Sequence, residues 1–235
     1  MGVQLPRWVW VGAGSLACVA GMVNVVGYLG FEHQAVTHLT GTTSLLGAAI
    51  VAGDERAAGQ LLGVAVAFTV GAALSGMIVQ DSTLRLGRRY GVTLTIESIL
   101  LFAAMFLFKQ HQSAGALLAA MACGLQNAMA TTFSGAVVRT THLSGMFTDL
   151  GIALGHLLRG MALPRRRLAL SGLIISSFFS GGIVGAGLYR HLGYDALAVP
   201  AVLTGLVGIG YAAFRHWHTL QHDAEDAGPD RPSES

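Results

Sequence analysis

The chain reads THLTGTTSLLG at residues 37–47 and THLSGMFTDLG at residues 141–151, one polar phrase written twice in a sequence dominated by Leu, Ala, Val and Gly. Each copy follows a glycine and an amide at nearly matched distances, in GMVN at 21–24 and GLQN at 124–127. Each also leads into an apolar run, 41–52 and 145–158, too short to cross a bilayer at about 1.5 Å rise per residue. How these two short runs are read decides the fold.

Six longer apolar stretches surround them, at about 8–30, 57–80, 92–109, 114–136, 168–189 and 195–214. They approach or exceed the roughly 20 residues a crossing needs. Of the 235 residues 53% are hydrophobic and 11% charged, against about 25% charged in a soluble domain. The sequence is therefore that of a polytopic membrane protein.

If all eight stretches crossed, the basic loops RLGRR (85–89) and RGMALPRRR (159–167) would lie on opposite faces, against the positive-inside rule. If each short run is a half-helix that does not change sides, Arg7, both basic loops and Arg215 share the cytoplasmic face. GDER at 53–56, the Lys109 loop and Tyr189-Arg190-His191 then lie outside. Each half of the chain holds three crossings and one half-helix, and an odd number of crossings turns the second half upside down. The expected fold is all-α, with two inverted repeats each of three spanning helices plus one half-helix. The expected divisions are a short segment 1–7, repeats 8–109 and 110–214, and a disordered polar tail 215–235.

Other classes fit poorly. No basic run alternates with aromatics, so the net charge of +2 marks topology rather than nucleic-acid binding. Cys18 and Cys123 sit in apolar segments without metal-ligand spacing, so neither a disulfide framework nor a metal site is expected, and no cofactor is implied. The stretch from Trp8 is too long for the apolar core of a signal peptide and reads as a helix. His216, His218 and His222 belong to the polar tail and read as solvated. No GxSxG elbow, HExxH helix or phosphate-cradling loop occurs, and a hydrolase using Ser44 or Ser134 with His38 or His142 would have to be assembled by tertiary contacts. The chain is not expected to be an enzyme.

The candidate binding residues follow from the repeated phrase. Thr37, His38, Thr40 and Gly41, and again Thr141, His142, Ser144 and Gly145, give each half-helix a start rich in hydroxyls and permissive glycine. Helix N-termini at membrane depth offer free N–H donors and a positive dipole end to an anion or a carbonyl. Capping by Thr40 or Ser144 accounts for part of the pattern but not for a histidine in both copies. Asn24, Gln126 and Asn127 are amides inside apolar helices, suited either to interhelical hydrogen bonds or to substrate recognition. Asp149 and Glu97 are carboxyls within membrane segments and candidates for proton coupling. Glu97 has a second reading, pairing with Arg88 or Arg89. His38 and His142 join the proton-coupling candidates because histidine titrates near physiological pH. Arg139 either faces Asp149 or a substrate, or is solvated at an interface. Gly181 with Gly185, and Gly71 with Ser75, form small-xxx-small surfaces for packing within the protomer or in a homodimer.

The run GMVNVVGYL at 21–29, the THLTG phrase, GLQNA at 124–128 and THLSG followed by TDLG resemble the YoaK-like family of bacterial inner-membrane proteins, a domain of unknown function. The resemblance implies a multi-spanning protein with about six crossings. Where that family commonly carries an acidic residue near the start of its first motif and an Asn after THLTG, this chain has Val23-Asn24 and Thr42. More distantly, short half-helices beside an amide-rich helix resemble the core of nucleobase and sulfate-type permeases. The expected function is a secondary transporter of a small anionic or carbonyl-bearing solute, with or without proton coupling, the solute held between the two half-helix N-termini. Its partners are the bilayer and the solute. The alternatives are a passive small-solute channel and a membrane scaffold or regulator.

Overall fold

A computed structural model of the chain describes residues 6–30, 36–80, 88–134, 139–163 and 165–226, with the backbone alone at 88, 212 and 214–226. The described residues are helical, without strands: α1 (Arg7–Gly30), α2 (Leu39–Ala52), α3 (Glu55–Val79), α4 (Arg88–Lys109), α5 (Ala114–Phe133), α6 (Leu143–Leu158), α7 (Arg165–Leu192) and α8 (Ala198–Asp226). A 3-10 turn, Gly193–Leu197, joins α7 to α8. Among the described residues, five stretches are long and apolar enough to cross a membrane: Arg7–Gly30, Glu55–Val79, Arg89–Lys109, Ala114–Phe133 and Arg165–Tyr211. The last has 47 residues, more than twice the roughly 20 that one crossing needs, and holds both α7 and most of α8.

Two apolar clusters at opposite ends of the bundle fix the direction of each helix. One gathers Val9 of α1, Val79 of α3, Leu94 of α4, Phe133 of α5 and Leu170 of α7. The other gathers Val26 of α1, Val64 of α3, Phe108 of α4, Ala116 of α5 and Ala201 of α8. Helices α1, α4 and α7 therefore run from the first cluster toward the second, and α3, α5 and α8 run back. Arg7, Arg89, Arg159 and the run Arg165, Arg166 and Arg167 gather at the first end. At the second end Lys109 Nζ donates to Asp195 at 2.8 Å, tying α4 to the 3-10 turn. Tyr194 stacks on Phe108 with ring centroids 5.1 Å apart and donates its hydroxyl to the Gly30 carbonyl.

The helices meet where glycine removes the side chain. A Cβ on Gly71 of α3 would land on the Met121 carbonyl oxygen of α5, and one on Gly124 of α5 would land on the Phe68 carbonyl oxygen of α3. The α1–α7 crossing repeats this: Gly181 abuts the Cys18 carbonyl, and Gly21 abuts the Phe178 carbonyl. Gly185 lies against Met22 and Val25, and Ser75 is fully buried, so both small-residue surfaces are used within the protomer.

The short helices fold back as hairpins, α2 on α3 and α6 on α7. At 14 and 16 residues they span about 21 and 24 Å. Gly53, in the left-handed region at φ 70°, ends α2, and Asp54 caps α3 by accepting from the Ala57 N–H at 3.0 Å.

Helix α8 runs past the membrane segments into the polar stretch. Residues 215–226, read as disordered tail, continue α8 as helix to Asp226. Their polarity forbids a core but not a helix, and the first breakers are Gly228 and Pro229. The remainder of that tail, 227–235, residues 1–5 and residues 85–87 of the RLGRR loop lie outside the described residues.

Candidate functional site

Between the two apolar clusters lies a polar layer. Leu94 and Met129 belong to one cluster and Leu101 and Cys123 to the other, and Glu97 of α4 and Gln126 of α5 sit between them. Gln126 Nε2 donates to Glu97 Oε1 at 2.9 Å. Both residues are sealed from solvent, Glu97 at 2% exposure and Gln126 at 1%. The pair leaves Glu97 Oε2 and Gln126 Oε1 without a hydrogen-bond partner among the described residues, and Ser75 Oγ of α3 is left likewise. Ser75 stands one turn from Val79, which packs in the same cluster as Leu94 and Met129, so the three unsatisfied groups share one level of the bundle. Beside Glu97, the Ser98 hydroxyl donates to the Ala201 carbonyl of α8 at 2.7 Å.

A cavity of about 680 Å³ lies beside this layer, between α1, α4, α5 and α8. Its walls include Tyr90 and Leu94, Ala130 and Phe133, and Thr204 and Val207. On α4 the spacing 90, 94, 97 continues one face, and on α5 the spacing 133, 130, 126 continues another, so Glu97 and Gln126 are the next turn beyond the lining residues. The expected partner of Glu97 is corrected at Arg89, whose guanidinium donates to Gln80 at 2.6 Å. The side chain of Arg88 lies outside the described residues.

The repeated phrase has its own local chemistry. Asn24 Oδ1 accepts from the Thr37 N–H at 3.2 Å and from the Thr37 hydroxyl at 2.7 Å, pinning the start of α2 to α1. In the second half Asn127 Oδ1 accepts from the Thr140 hydroxyl at 3.4 Å. The threonine used there is Thr140, fully buried, and not the aligned Thr141. Both anchors span 13 residues, which is the signal that would have found Thr140. His38 and His142 occupy the N-cap positions without a capping side-chain bond, and Thr40 and Ser144 lie inside the first turn. This corrects the expected caps. A Cβ on Gly41 would stand 2.7 Å from His38 Cδ2, and one on Gly145 would stand 2.5 Å from His142 Nε2. Each ring thus lies over the glycine three residues on, so histidine and glycine recur together.

The N-termini of the two short helices, α2 and α6, are not brought together. α2 packs on α3 and α6 on α7, and no extended contact joins α2 to α6 among the described residues. His38, Thr40, His142 and Ser144 are exposed or half-exposed on the flanks of the bundle. Asn24 lines a groove of about 370 Å³ between α1 and α7, with Gly21, Phe178 and Gly182. Asp149 is engaged by Arg167, with Nε and Nη2 at 2.9 and 2.7 Å from its two oxygens. Arg139, the expected counter-charge, is exposed. Ser75 and Arg167 join Thr140 as residues whose roles are set by helices that sequence reasoning did not bring beside them.

Apolar helices in two opposed directions, closed by glycine crossings around a buried polar layer, define a multi-pass helical membrane protein. The chain belongs to the family described as protein of unknown function DUF1275, whose model matches residues 13–210. No curated protein and no solved structure matches it.

Proposed function

We propose that this protein is an inner-membrane secondary transporter built from two inverted repeats, α1–α4 and α5–α8, with alternating access to the Glu97–Gln126 layer. Both termini are cytoplasmic in this reading, because Arg7, Arg89, Arg159 and Arg165 to Arg167 gather at the end where α1 begins, against Arg56 and Arg190 at the other.

The observation that carries the proposal is a broken pairing. Exchanging α1 with α5, α2 with α6, α3 with α7 and α4 with α8 turns the α1–α7 contact into α3–α5 and the α2–α3 hairpin into α6–α7, and maps α4–α8 onto itself. The exchange fails most at one place. α4 packs closely along α5, whereas α8 stands off α1 and the 680 Å³ cavity fills the gap. The residue difference agrees with this: Gln126 reaches Glu97, while Val23, its counterpart before Asn24, has no polar group to reach with. Two inverted halves closed on one side and open on the other have a second arrangement, in which α1 closes on α8 and α4 parts from α5. That state opens the polar layer from the opposite end.

The test combines uptake with distances. In proteoliposomes, solute uptake against its gradient is expected when a pH gradient is imposed. Spin labels at Val11→Cys with Val207→Cys, and at Phe106→Cys with Leu118→Cys, are placed in a background lacking Cys18 and Cys123. Each pair should give two distance populations that change in opposite senses. Two fixed distances without uptake would sink the proposal in favour of a scaffold, and purely downhill flux would assign a channel.

A further inference from the structure

We infer that the layer formed by Glu97, Gln126 and Ser75 binds a small monovalent cation that donates hydrogen bonds, a proton or an ammonium-type group, rather than the anion that half-helix N-termini would attract. The inference deepens the transport reading by naming what the layer holds, and binding itself does not depend on movement.

The unsatisfied groups are all oxygens: Glu97 Oε2, Gln126 Oε1 and Ser75 Oγ. Two of them can only accept when the carboxyl is ionised, and the amide nitrogen of Gln126 is already spent on Glu97 Oε1. Glu97 is the only Asp, Glu, Lys, Arg or His buried among the described residues, so no buried side-chain cation stands beside it there. A buried carboxylate without an opposite charge is among the costliest arrangements a membrane interior can hold. A positive partner removes that cost. A proton on Oε2 neutralises the group, and an ammonium N–H pair donates to Glu97 Oε2 and Gln126 Oε1 together. An anion arriving here would meet a carboxylate and an amide oxygen, neither of which can donate to it, and would have only the Ser75 hydroxyl as a donor.

The 680 Å³ cavity comes close to the layer. It reaches Leu94 and Ala130, one turn short of the pair, and carries Tyr90 and Thr204 on its walls. Asp149, the carboxyl on α6, is paired with Arg167, which takes both of its oxygens.

The deciding measurement is infrared difference spectroscopy of the full chain in nanodiscs, following the carboxyl bands during a pH step and during addition of ammonium chloride at fixed pH, with choline chloride as control. A carboxylic-acid carbonyl band that responds to the pH step, to ammonium or to both is expected in the unaltered protein and in Asp149→Asn, and is expected to vanish in Glu97→Gln. Gln126→Met should weaken the ammonium response about tenfold, the loss of one hydrogen bond to a charged group. If Glu97→Gln fails to fold, Glu97→Asp should shift the band instead. A band indifferent to pH and ammonium would overturn the inference. A responsive band in protein that transports nothing would keep the cation site and remove the transport reading, so the two failures are separable.

Discussion

At Gly71 a single methyl group would collide with backbone, the Met121 carbonyl, and not with a side chain able to swing away. Gly71→Ala is therefore expected to lower stability by about 1–3 kcal/mol, the usual cost of overpacking. Gly47, inside α2 with nothing within 4 Å of an added Cβ, is the control. There the same change should be neutral or gain up to about 1 kcal/mol from helix propensity. Thermal unfolding of the two variants in one detergent checks the contrast. The sequence marked Gly71 and Gly181 as packing positions because small-xxx-small spacing is local. It could not say which helix each would meet, since the Met121 and Cys18 carbonyls are set by tertiary assembly. Glu97 shows the same limit: one sequence neighbourhood offered Arg88 and Arg89, and the actual partner, Gln126, lies 29 residues away on the next helix.

At the scale of elements, the two short helices were legible from the length of their apolar runs, and at 14 and 16 residues they fall short of the roughly 20 that a crossing needs. What holds their first turns was not. The phrase reads as a cap, yet its work is done by an amide 13 residues earlier that holds the incoming threonine. In the second half the anchor slips one residue, to Thr140, a shift that alignment of the phrase conceals. Asn24→Ala leaves the buried Thr37 N–H and hydroxyl without their acceptor and is expected to cost about 1–3 kcal/mol. The loss should be concentrated at the start of α2. Hydrogen exchange over residues 36–42 should speed up in Asn24→Ala and stay near its original rate in Asn24→Asp, which keeps the acceptor. Asn127→Ala should have a smaller effect at the start of α6, having one contact at 3.4 Å to lose. Unchanged exchange in all three variants would mean that the hairpin contacts of α2 with α3 and of α6 with α7 alone hold these first turns.

For the whole molecule, the arrangement of charges and the directions of the helices make one joint demand. GDER follows α2 and the basic loop RGMALPRRR follows α6, and these are corresponding places in the two halves. Each half-helix runs outward along the helix that follows it, α2 toward the end where α3 begins and α6 toward the end where α7 begins. α3 and α7 begin at opposite ends of the bundle, since Val64 packs in one apolar cluster and Leu170 in the other. In the proposed inverted-repeat reading Asp54 and Arg159 are expected to open onto opposite faces of the membrane, whatever the solute and whichever face is cytoplasmic. Single cysteines at these two exposed positions, in a background lacking Cys18 and Cys123, test this with a membrane-impermeant thiol reagent on intact cells. Asp54→Cys is expected to label at once, and Arg159→Cys only after the membrane is permeabilised, because arginine-rich loops stay inside. The reverse pattern would invert the orientation and leave the repeats standing. Labelling of both from one side would mean that α6 crosses the membrane after all, and with it the inverted relation of the two halves would fall.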